Sequence, residues 1–332
     1  MKEPLAKVLR GARLTEEEAG AAMAAIMDGE ATPAQIGALL GALCVRGETE
    51  DEVVGFARTM RARAVPLRAP DAIDTCGTGG DGACTFNIST VASLVVAACG
   101  VKVAKHGNRS ASGSCGSADV LEALGVPIDA PLEQVQRCFD EVGWTFLFAP
   151  AFHASTRHAA LPRRELGVRT AFNILGPLTN PAHPVAQVVG VPRPELLGFV
   201  ARCLGRLGAR RALVVHGAGL DELTLAGETA VAEIRDGVVH EWRITPEEAG
   251  LARAPLEAVR GGDAGENARL ARGVLEGQAG PCRDVVLLNA SAALLVAGRA
   301  ASLTAGVALA REAIDGGRAA ALLQRVGEAL RV

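Results

Sequence analysis

The chain has 332 residues, of which 49% are hydrophobic, a length that suggests about two domains. Its formal net charge of -3 and its 3% aromatic content argue against nucleic acid or an anionic membrane as the main partner. The eight cysteines contain no CxxC pair, and no apolar run reaches the about 18 residues of a membrane span, so we expect a cytoplasmic protein with free thiols and no membrane contact.

The first 65 or so residues are predicted to form helices. Three helix-start signals stand between apolar stripes of helical spacing: Thr15 with Glu18, Thr32 followed by Pro33, and Thr49 with Glu52. Small residues in these stripes suit close helix packing. We expect a small helical domain, residues 1–68, that buries part of its apolar surface against a second copy of the chain.

After a proline-marked linker at 63–72, short apolar segments alternate with loops and helices. Strands are predicted at 72–74, at 102–104, at 212–217 and at "VVLLNA", 285–290. This alternation is typical of a mostly parallel sheet with helical crossovers, which we place at 70–332. Segment 152–180 is predicted to be mostly helical, and we assign it to the small domain as an insertion.

The glycine-rich stretch "GTGGDG", residues 77–82, follows the first predicted strand. A helix beginning at Asn87 or Ser89 comes after it. Glycines let successive amides point into one concavity, and a helix start adds free N–H groups, so the stretch suits a phosphate or a pyrophosphate. The spacing is neither a Walker A loop nor G-x-G-x-x-G. The alternative is a tight strand-to-helix turn without a ligand.

Two further loops follow predicted strands. "KHGNR" begins at Lys105, includes Arg109, and leads through small residues to a helix near Ser117, which repeats the pattern of an anion site. Asp221 and Glu222 follow the strand at 212–217, where two adjacent carboxylates beside a phosphate site indicate Mg²⁺. The alternatives are solvated surface charges in both loops.

The stretch "LPRRELGVRT", 161–170, carries Arg163, Arg164 and Arg169. The planar fork of an arginine suits a carboxylate ligand, although a solvated helix face with internal ion pairs is an equal alternative. No G-x-S-x-G, HExxH or cysteine–histidine signature occurs. We therefore expect catalysis by positioning and electrostatic stabilisation of a charged leaving group.

The ordered set "GTGGDG", "TFNIST", "KHGNR", "GSADVLEALG", "RRELGVRTAFNILGPLTNPA" and "HGAGLDE" resembles the anthranilate phosphoribosyltransferases. The resemblance implies a homodimer with a small helical domain and a larger α/β domain. It also implies transfer of the phosphoribosyl group from phosphoribosyl pyrophosphate to anthranilate, with Mg²⁺, in tryptophan biosynthesis.

The resemblance also implies site residues, and we predict that Lys105, Asn108 and Arg163 are catalytic. Implied contacts to phosphoribosyl pyrophosphate are Gly77, Gly80, Asp81, Thr85, Asn87, Ile88, Ser89, Thr90, Lys105, His106, Gly107, Asn108, Arg109, Ser110, Ala111, Ser112, Gly113 and Ser117. Implied anthranilate contacts are Gly77, Asn108 and Arg163, and implied metal ligands are Ser89, Asp221 and Glu222.

The chain departs from the family pattern at Gly113, at Cys115 and at residues 153–157, which lie near the acceptor path in the family. One alternative is a pyrimidine nucleoside phosphorylase, whose related loop reads STGGVGDK, with a serine where this chain has Gly77 and a valine where it has Asp81. Another alternative is a non-catalytic relative that binds nucleic acid. The negative net charge and the intact Asp221–Glu222 pair argue against the latter.

Overall fold

The computed structural model describes residues 1–110 and 115–331. Four helices precede the first strand: α1 Lys2–Leu9, α2 Glu16–Met27, α3 Pro33–Arg46 and α4 Glu50–Arg63. The later helices are α5 Ile88–Ala98, α6 Ser117–Ala123, α7 Leu132–Val142, α8 Ala149–Phe152, α9 Arg157–Leu166, α10 Ala171–Leu178, α11 Leu196–Arg206, α12 Ala264–Leu275, α13 Pro281–Val296, α14 Leu303–Asp315 and α15 Arg318–Ala329.

Within the described residues, one seven-stranded sheet forms the centre of the larger domain. Its strands are β1 Ile73–Gly77, β2 Val103–Gly107, β3 Trp144–Phe148, β4 Ala186–Gly190, β5 Arg211–Gly217, β6 Thr229–Arg235 and β7 Val238–Ile244. They lie in the order β3-β2-β1-β4-β5-β6-β7. The first five are parallel, whereas β6 and β7, which the sequence pattern did not predict, pair antiparallel at one edge.

Helices cover both faces of the sheet, because successive side chains of β5 belong alternately to two different hydrophobic cores. Leu213 and Val215 join a core with α5–α7 and α12–α15, whereas Ala212 and Val214 join a second core with α1–α4 and α9–α11. The fold is therefore a small helical N-terminal domain and a larger α/β domain with a mostly parallel sheet, which confirms the predicted fold class. Helices α9 and α10, from the predicted insertion, share a core with the N-terminal helices.

All three predicted helix starts are present as capping boxes. The hydroxyls of Thr15, Thr32 and Thr49 accept hydrogen bonds from the amides three residues later. Glu52 does more than complete its box, because its fully buried carboxylate also accepts from the amide of Leu14 at 2.8 Å. A local capping signal thus also joins the start of α4 to the start of α2.

The predicted strand at 285–290 is wrong, because these residues lie inside helix α13. Every residue from Val285 to Val296 is buried, so this part of the helix is covered on all sides and lacks the polar face of a surface helix. A short apolar run of this kind cannot be distinguished from a buried strand by periodicity. The proline at the first position of α13 was the available signal for a helix.

The loops that follow β1, β2 and β5 lie at the carboxyl-terminal edge of the sheet. The chain builds β2 and β3 on one side of β1 and then places β4 on its other side, so the strand order reverses at β1. In open α/β sheets, ligands bind outside the carboxyl ends of strands at such a reversal. The glycine-rich loop leaves β1 there.

Among the described residues, no helix is both long and apolar enough to cross a membrane.

Candidate active site

A cavity of about 410 Å³ lies at the carboxyl ends of β1, β2 and β5. All predicted site residues that the structure describes line it, with the exception of Arg163. Ala111, Ser112 and Gly113 lie outside the described residues. The cavity wall also includes residues that the sequence reading did not assign, among them Thr78, Gly79, Cys115, Arg169 and Asn173.

The glycine-rich loop has the backbone that its sequence requires. Gly79, Gly80 and Gly82 have φ of +68°, +77° and +74°, values that favour glycine. Gly77 is needed for a different reason, since a Cβ at this position would overlap the carboxylate of Asp221. The loop is therefore shaped to lie directly against the acidic pair.

The acidic pair hydrogen-bonds to the two elements predicted to hold phosphate. The amide of Gly79 donates to Oδ2 of Asp221 at 2.7 Å, and the amide of Ser89 donates to Oε1 of Glu222 at 3.1 Å. Ser89 belongs to the first turn of α5, whose free N–H groups form the positive end of the helix dipole. The carboxylates thus contact backbone donors that suit an anion.

Burial raises the pKa of both Asp221 and Glu222. The charge of Asp81 raises the pKa of Asp221 further, and the charge of Asp221 does the same for Glu222, whereas Lys105 lowers the pKa of Glu222. These two adjacent, half-buried carboxylates therefore have too little positive charge nearby to offset their repulsion. Within residues 1–110 and 115–331, no cluster of three or more acidic, histidine or cysteine side chains could cage a metal. Two oxygen ligands in an open cavity fit Mg²⁺, which keeps waters and phosphate oxygens as its other ligands.

Lys105 lies at the base of the cavity rather than on its surface. Only 2% of the residue is exposed, and its Nζ donates to the carbonyl of Thr75 at 2.6 Å. Asp74, fully buried beneath it, accepts from the side chain of Asn180 at 2.8 Å and from the amide of His106 at 3.3 Å. Burial raises the pKa of Asp74, and the charge of Lys105 opposes this shift. The two side chains are both buried, and the charge of Lys105 acts on Asp74 without a direct ion pair between them among the described residues.

The imidazole of His106 is a neutral group in this structure. Burial lowers its pKa to about 3, and Nδ1 lies 3.2 Å from the carbonyl of Gly176. Its ring packs 5.3 Å from that of His153, with an interplanar angle of 59°. His106 therefore borders the cavity without adding a positive charge to it.

The "KHGNR" loop is held to the start of α6. The amide of Asn108 donates to Oγ of Ser117 at 3.2 Å, and that hydroxyl donates back to the carbonyl of Asn108 at 3.1 Å. Arg109 forms ion pairs with Asp119 at 2.7 Å and with Glu122 at 2.5 Å. Two acidic neighbours thus partly neutralise Arg109, whose side chain is about half exposed.

Arg163 lies outside the cavity wall, on helix α9. Its guanidinium stacks on the ring of Phe172 at 4.8 Å, and burial lowers its pKa. It has no ion pair with any residue that the structure describes, so its donors are free for a carboxylate. From the same motif, Arg169 does line the cavity, and its Nη1 donates to the carbonyl of Gly79 at 2.7 Å. The motif was recognised in the sequence, but only the fold distinguishes the positions of its arginines.

Cys76 also borders the cavity. Burial and the nearby charge of Asp74 raise the pKa of its thiol well above the ordinary value. A thiol is a poor nucleophile when it is held neutral. The cavity therefore matches a site for charge stabilisation rather than covalent catalysis.

Two family models together match most of the chain. The helical bundle domain of a glycosyl transferase family matches residues 2–64, and the α/β domain of that family matches residues 69–320. Anthranilate phosphoribosyltransferase of Moorella thermoacetica is 57% identical over 327 residues, which cover 98% of this chain and 96% of the relative.

Solved structures agree with the sequence relatives. Anthranilate phosphoribosyltransferase from Thermus thermophilus has a TM-score of 0.95 and 52% identity, and the match covers 99% of this chain and all of that one. The Saccharomyces cerevisiae enzyme, in complex with phosphoribosyl pyrophosphate and Mg, has a TM-score of 0.89 and 26% identity, with 98% and 96% of the chains covered.

Proposed function

The chain belongs to the anthranilate phosphoribosyltransferase family, and we propose that both substrates of that reaction meet in the cavity at the ends of β1, β2 and β5. The enzyme transfers the 5-phosphoribosyl group to the amino group of anthranilate, which yields N-(5-phosphoribosyl)anthranilate and pyrophosphate in tryptophan biosynthesis. The observation that carries the location is the convergence of the glycine-rich loop, Lys105 and the acidic pair on one cavity.

The pyrophosphate side of the site is assigned to the loop after β1, the start of α5 and the "KHGNR" loop. The glycine-rich backbone allows the pyrophosphate to approach closely, and the first turn of α5 supplies N–H groups. Lys105 supplies positive charge from the base of the cavity. The assigned contacts are those predicted from the sequence. Donors held in place before the reaction stabilise charge on a leaving group without reorganisation.

Mg²⁺ is assigned to Asp221 and Glu222, with Ser89 as a third oxygen ligand. Two adjacent half-buried carboxylates with raised pKa, which line the cavity together with Ser89, support this assignment. When bound, the ion neutralises negative charge on the departing pyrophosphate. The yeast relative was solved with phosphoribosyl pyrophosphate and Mg, which supports the same use here.

Anthranilate is assigned to Gly77 and Asn108, and Arg163, which lies outside the cavity wall with its guanidinium on Phe172, is proposed to bind the anthranilate carboxylate. In the reaction, the bond from C1 of the ribose to the pyrophosphate oxygen breaks, the bond from C1 to the amine nitrogen forms, and the amine loses a proton. An aromatic amine is neutral at pH 7, so no strong base is needed before it attacks. Holding the two reactants in line supplies up to ~7–11 kcal/mol of the barrier.

The direct test of the reaction is the loss of anthranilate fluorescence. We expect this loss when enzyme, phosphoribosyl pyrophosphate and Mg²⁺ are mixed with anthranilate, and no loss when any one of them is omitted. Fluorescence that stays constant in the complete mixture would contradict the function. Phosphorolysis of thymidine or uridine, measured in parallel, would instead support a nucleoside phosphorylase.

Arg163→Ala is expected to raise the KM for anthranilate by ~10-fold or more, because a charge-assisted hydrogen bond is worth about 1.5–3 kcal/mol. The KM for phosphoribosyl pyrophosphate should stay nearly unchanged. Arg164→Ala is a matched control, since Arg164 is the exposed neighbour on the same helix. An unchanged anthranilate KM in Arg163→Ala would remove Arg163 from the acceptor site.

We propose further that the helical domain, residues 1–68 with the helices around 152–180, forms a homodimer. Three exposed apolar side chains lie on helices that pack together: Leu9 on α1, Val45 on α3 and Leu161 on α9, with Val45 91% exposed. A second copy of the chain would remove this surface from water.

All eight cysteines are free thiols, which favours the cytoplasm, where thiols stay reduced.

Val45→Arg is expected to convert the dimer to a monomer, because a charge would be buried without a partner in the interface. The molar mass in solution is measured by sedimentation equilibrium, or by light scattering as the protein elutes from a size-exclusion column. Val238→Arg is the control, since Val238 is an equally apolar, exposed residue on the edge strand β7. A wild-type monomer would contradict the dimer, and a dimeric Val45→Arg would place the interface elsewhere.

A further inference from the structure

We propose that Arg169 is a positioning residue that latches the glycine-rich loop to the connection between α9 and α10. Through this latch, the loop that approaches the pyrophosphate is tied to the helix that carries Arg163. The inference rests on the proposed binding of phosphoribosyl pyrophosphate in the cavity.

The local sequence places Arg169 at the end of a short connection. Helix α9 ends at Leu166, Gly167 takes a left-handed conformation with φ of +63°, and Thr170 caps α10 through a capping box with Asn173. Arg169 is therefore one residue before a fixed helix start. From there, its Nη1 reaches the carbonyl of Gly79 at 2.7 Å.

Two charged side chains hold Gly79 from opposite ends of the residue. Its amide donates to Asp221, and its carbonyl accepts from Arg169. Because a trans peptide is planar, the carbonyl of Gly79 and the amide of Gly80 point in opposite directions. By fixing the Gly79 carbonyl, Arg169 also sets the direction of the Gly80 N–H, which is one of the proposed pyrophosphate donors.

Gly80 itself is shaped around this contact. A Cβ at position 80 would overlap the guanidinium of Arg169, and the φ of +77° already disfavours other residues. The loop therefore leaves open the space that the guanidinium fills.

The charges facing Arg169 keep its side chain at the acidic rim of the cavity. Asp221 and Asp81 attract the guanidinium, while Arg193 on the β4–α11 connection repels it. Arg169 lies at the mouth of the site and forms no ion pair with a carboxylate of residues 1–110 or 115–331. Arg169 is thus held mainly by the loop it orients.

The other end of the latch is anchored in the helical domain. Ala171 and Phe172, in the first turn of α10, are buried in the core shared with α2–α4, and Phe172 carries the stacked guanidinium of Arg163. A displacement of α10 would move Arg163 and Arg169 together. Arg169 therefore extends to the glycine-rich loop from a segment that the helical core holds in place.

The test is the binding of phosphoribosyl pyrophosphate with Mg²⁺, measured by calorimetry, in the wild type and in Arg169→Gln and Arg169→Lys. We expect Arg169→Gln to weaken binding by ~10-fold or more, since a bond from a charged donor is lost, and Arg169→Lys to recover part of it. The anthranilate KM at saturating phosphoribosyl pyrophosphate should change little. Arg164→Gln, the exposed control on α9, should bind as the wild type does.

A double-mutant cycle separates positioning from general loss of structure. Gly80→Ala excludes the guanidinium, so adding Arg169→Ala to it should weaken binding little further, whereas independent effects would add. Additive losses, or an Arg169→Gln variant that binds like the wild type, would overturn the latch. A wild-type protein that fails to bind phosphoribosyl pyrophosphate with Mg²⁺ would instead overturn the proposed site.

Discussion

Replacing Asp221 and Glu222 by Asn and Gln is expected to lower turnover by about 10²–10³-fold, the range seen when preorganised stabilisation of developing charge is removed. The remaining activity should lose its dependence on Mg²⁺ concentration. Both effects have one cause, because amide side chains keep the shape of the site but bind a hard cation far less well than carboxylates do. A titration of turnover against Mg²⁺ measures both.

The same double substitution is expected to increase the stability of the ligand-free protein. Asp221 and Glu222 are adjacent and half-buried, and desolvation together with the charge of a neighbouring carboxylate, Asp81 for Asp221 and Asp221 for Glu222, raises their pKa. Asn and Gln remove this repulsion, while their carbonyl oxygens can still accept from Gly79 and Ser89. Thermal unfolding without Mg²⁺ should therefore shift to higher temperature. A gain in stability with a loss of activity is expected where charges are retained for function.

A matched control for the acidic pair is Glu247→Gln with Glu248→Gln. These glutamates are also adjacent in sequence, but they are exposed and do not line the cavity. Their substitution should leave turnover and its Mg²⁺ dependence unchanged. Mg²⁺ dependence that survives intact in the Asp221→Asn, Glu222→Gln protein would place the metal at other residues.

Lys105→Met is expected to abolish detectable binding of phosphoribosyl pyrophosphate and to destabilise the fold by about 1–3 kcal/mol, because it removes the charge that favours the buried Asp74 carboxylate and the donor to the carbonyl of Thr75. Lys105 is 2% exposed and Asp74 is fully buried, so water cannot replace the lost interaction. Denaturant unfolding measures the free energy of unfolding, and calorimetry measures the binding.

Adding Asp74→Asn to Lys105→Met separates the two roles of the lysine. The double variant removes both charges and keeps a side chain that fits between Asn180 and the amide of His106, so most of the stability should return. Binding of phosphoribosyl pyrophosphate should not return, since the positive charge is still missing. A double variant as unstable as Lys105→Met would show that the charge of Asp74 is not the cause of the lost stability. Undiminished binding would remove Lys105 from the phosphate site.

Local signals explain why so much of the site could be predicted from the sequence. Glycines with positive φ, helix caps and strand ends act within a few residues, and their effects do not depend on the rest of the chain. Gly79, Asn87 and Ser117 accordingly lie where the sequence places them, beside a turn or a helix start. Parallel strands then bring separate loops to one edge, so the convergence of Lys105 and Asp221 was also foreseeable.

Burial was the property that the sequence pattern could not supply. The run at 285–290 is apolar in either a helix or a strand, and only its position within α13, covered on all sides, decides between them. Lys105 could be a solvated surface cation by its sequence, yet the fold buries it against the carbonyl of Thr75. Charge and hydropathy describe a residue type, whereas burial depends on every element packed around it.

The sequence by itself determined the helical starts, the glycine turns, the loops after β1 and β2 that line the cavity, and the family. Only the tertiary structure decided which arginine of "RRELGVRT" reaches the cavity, because Arg163 and Arg169 are six residues apart and on different sides of the turn at Gly167. It also decided that Asp221 lies against Gly77, a contact across more than 140 residues that no local pattern encodes. Contacts between distant segments depend on how the elements pack, and that packing is set by the whole chain at once.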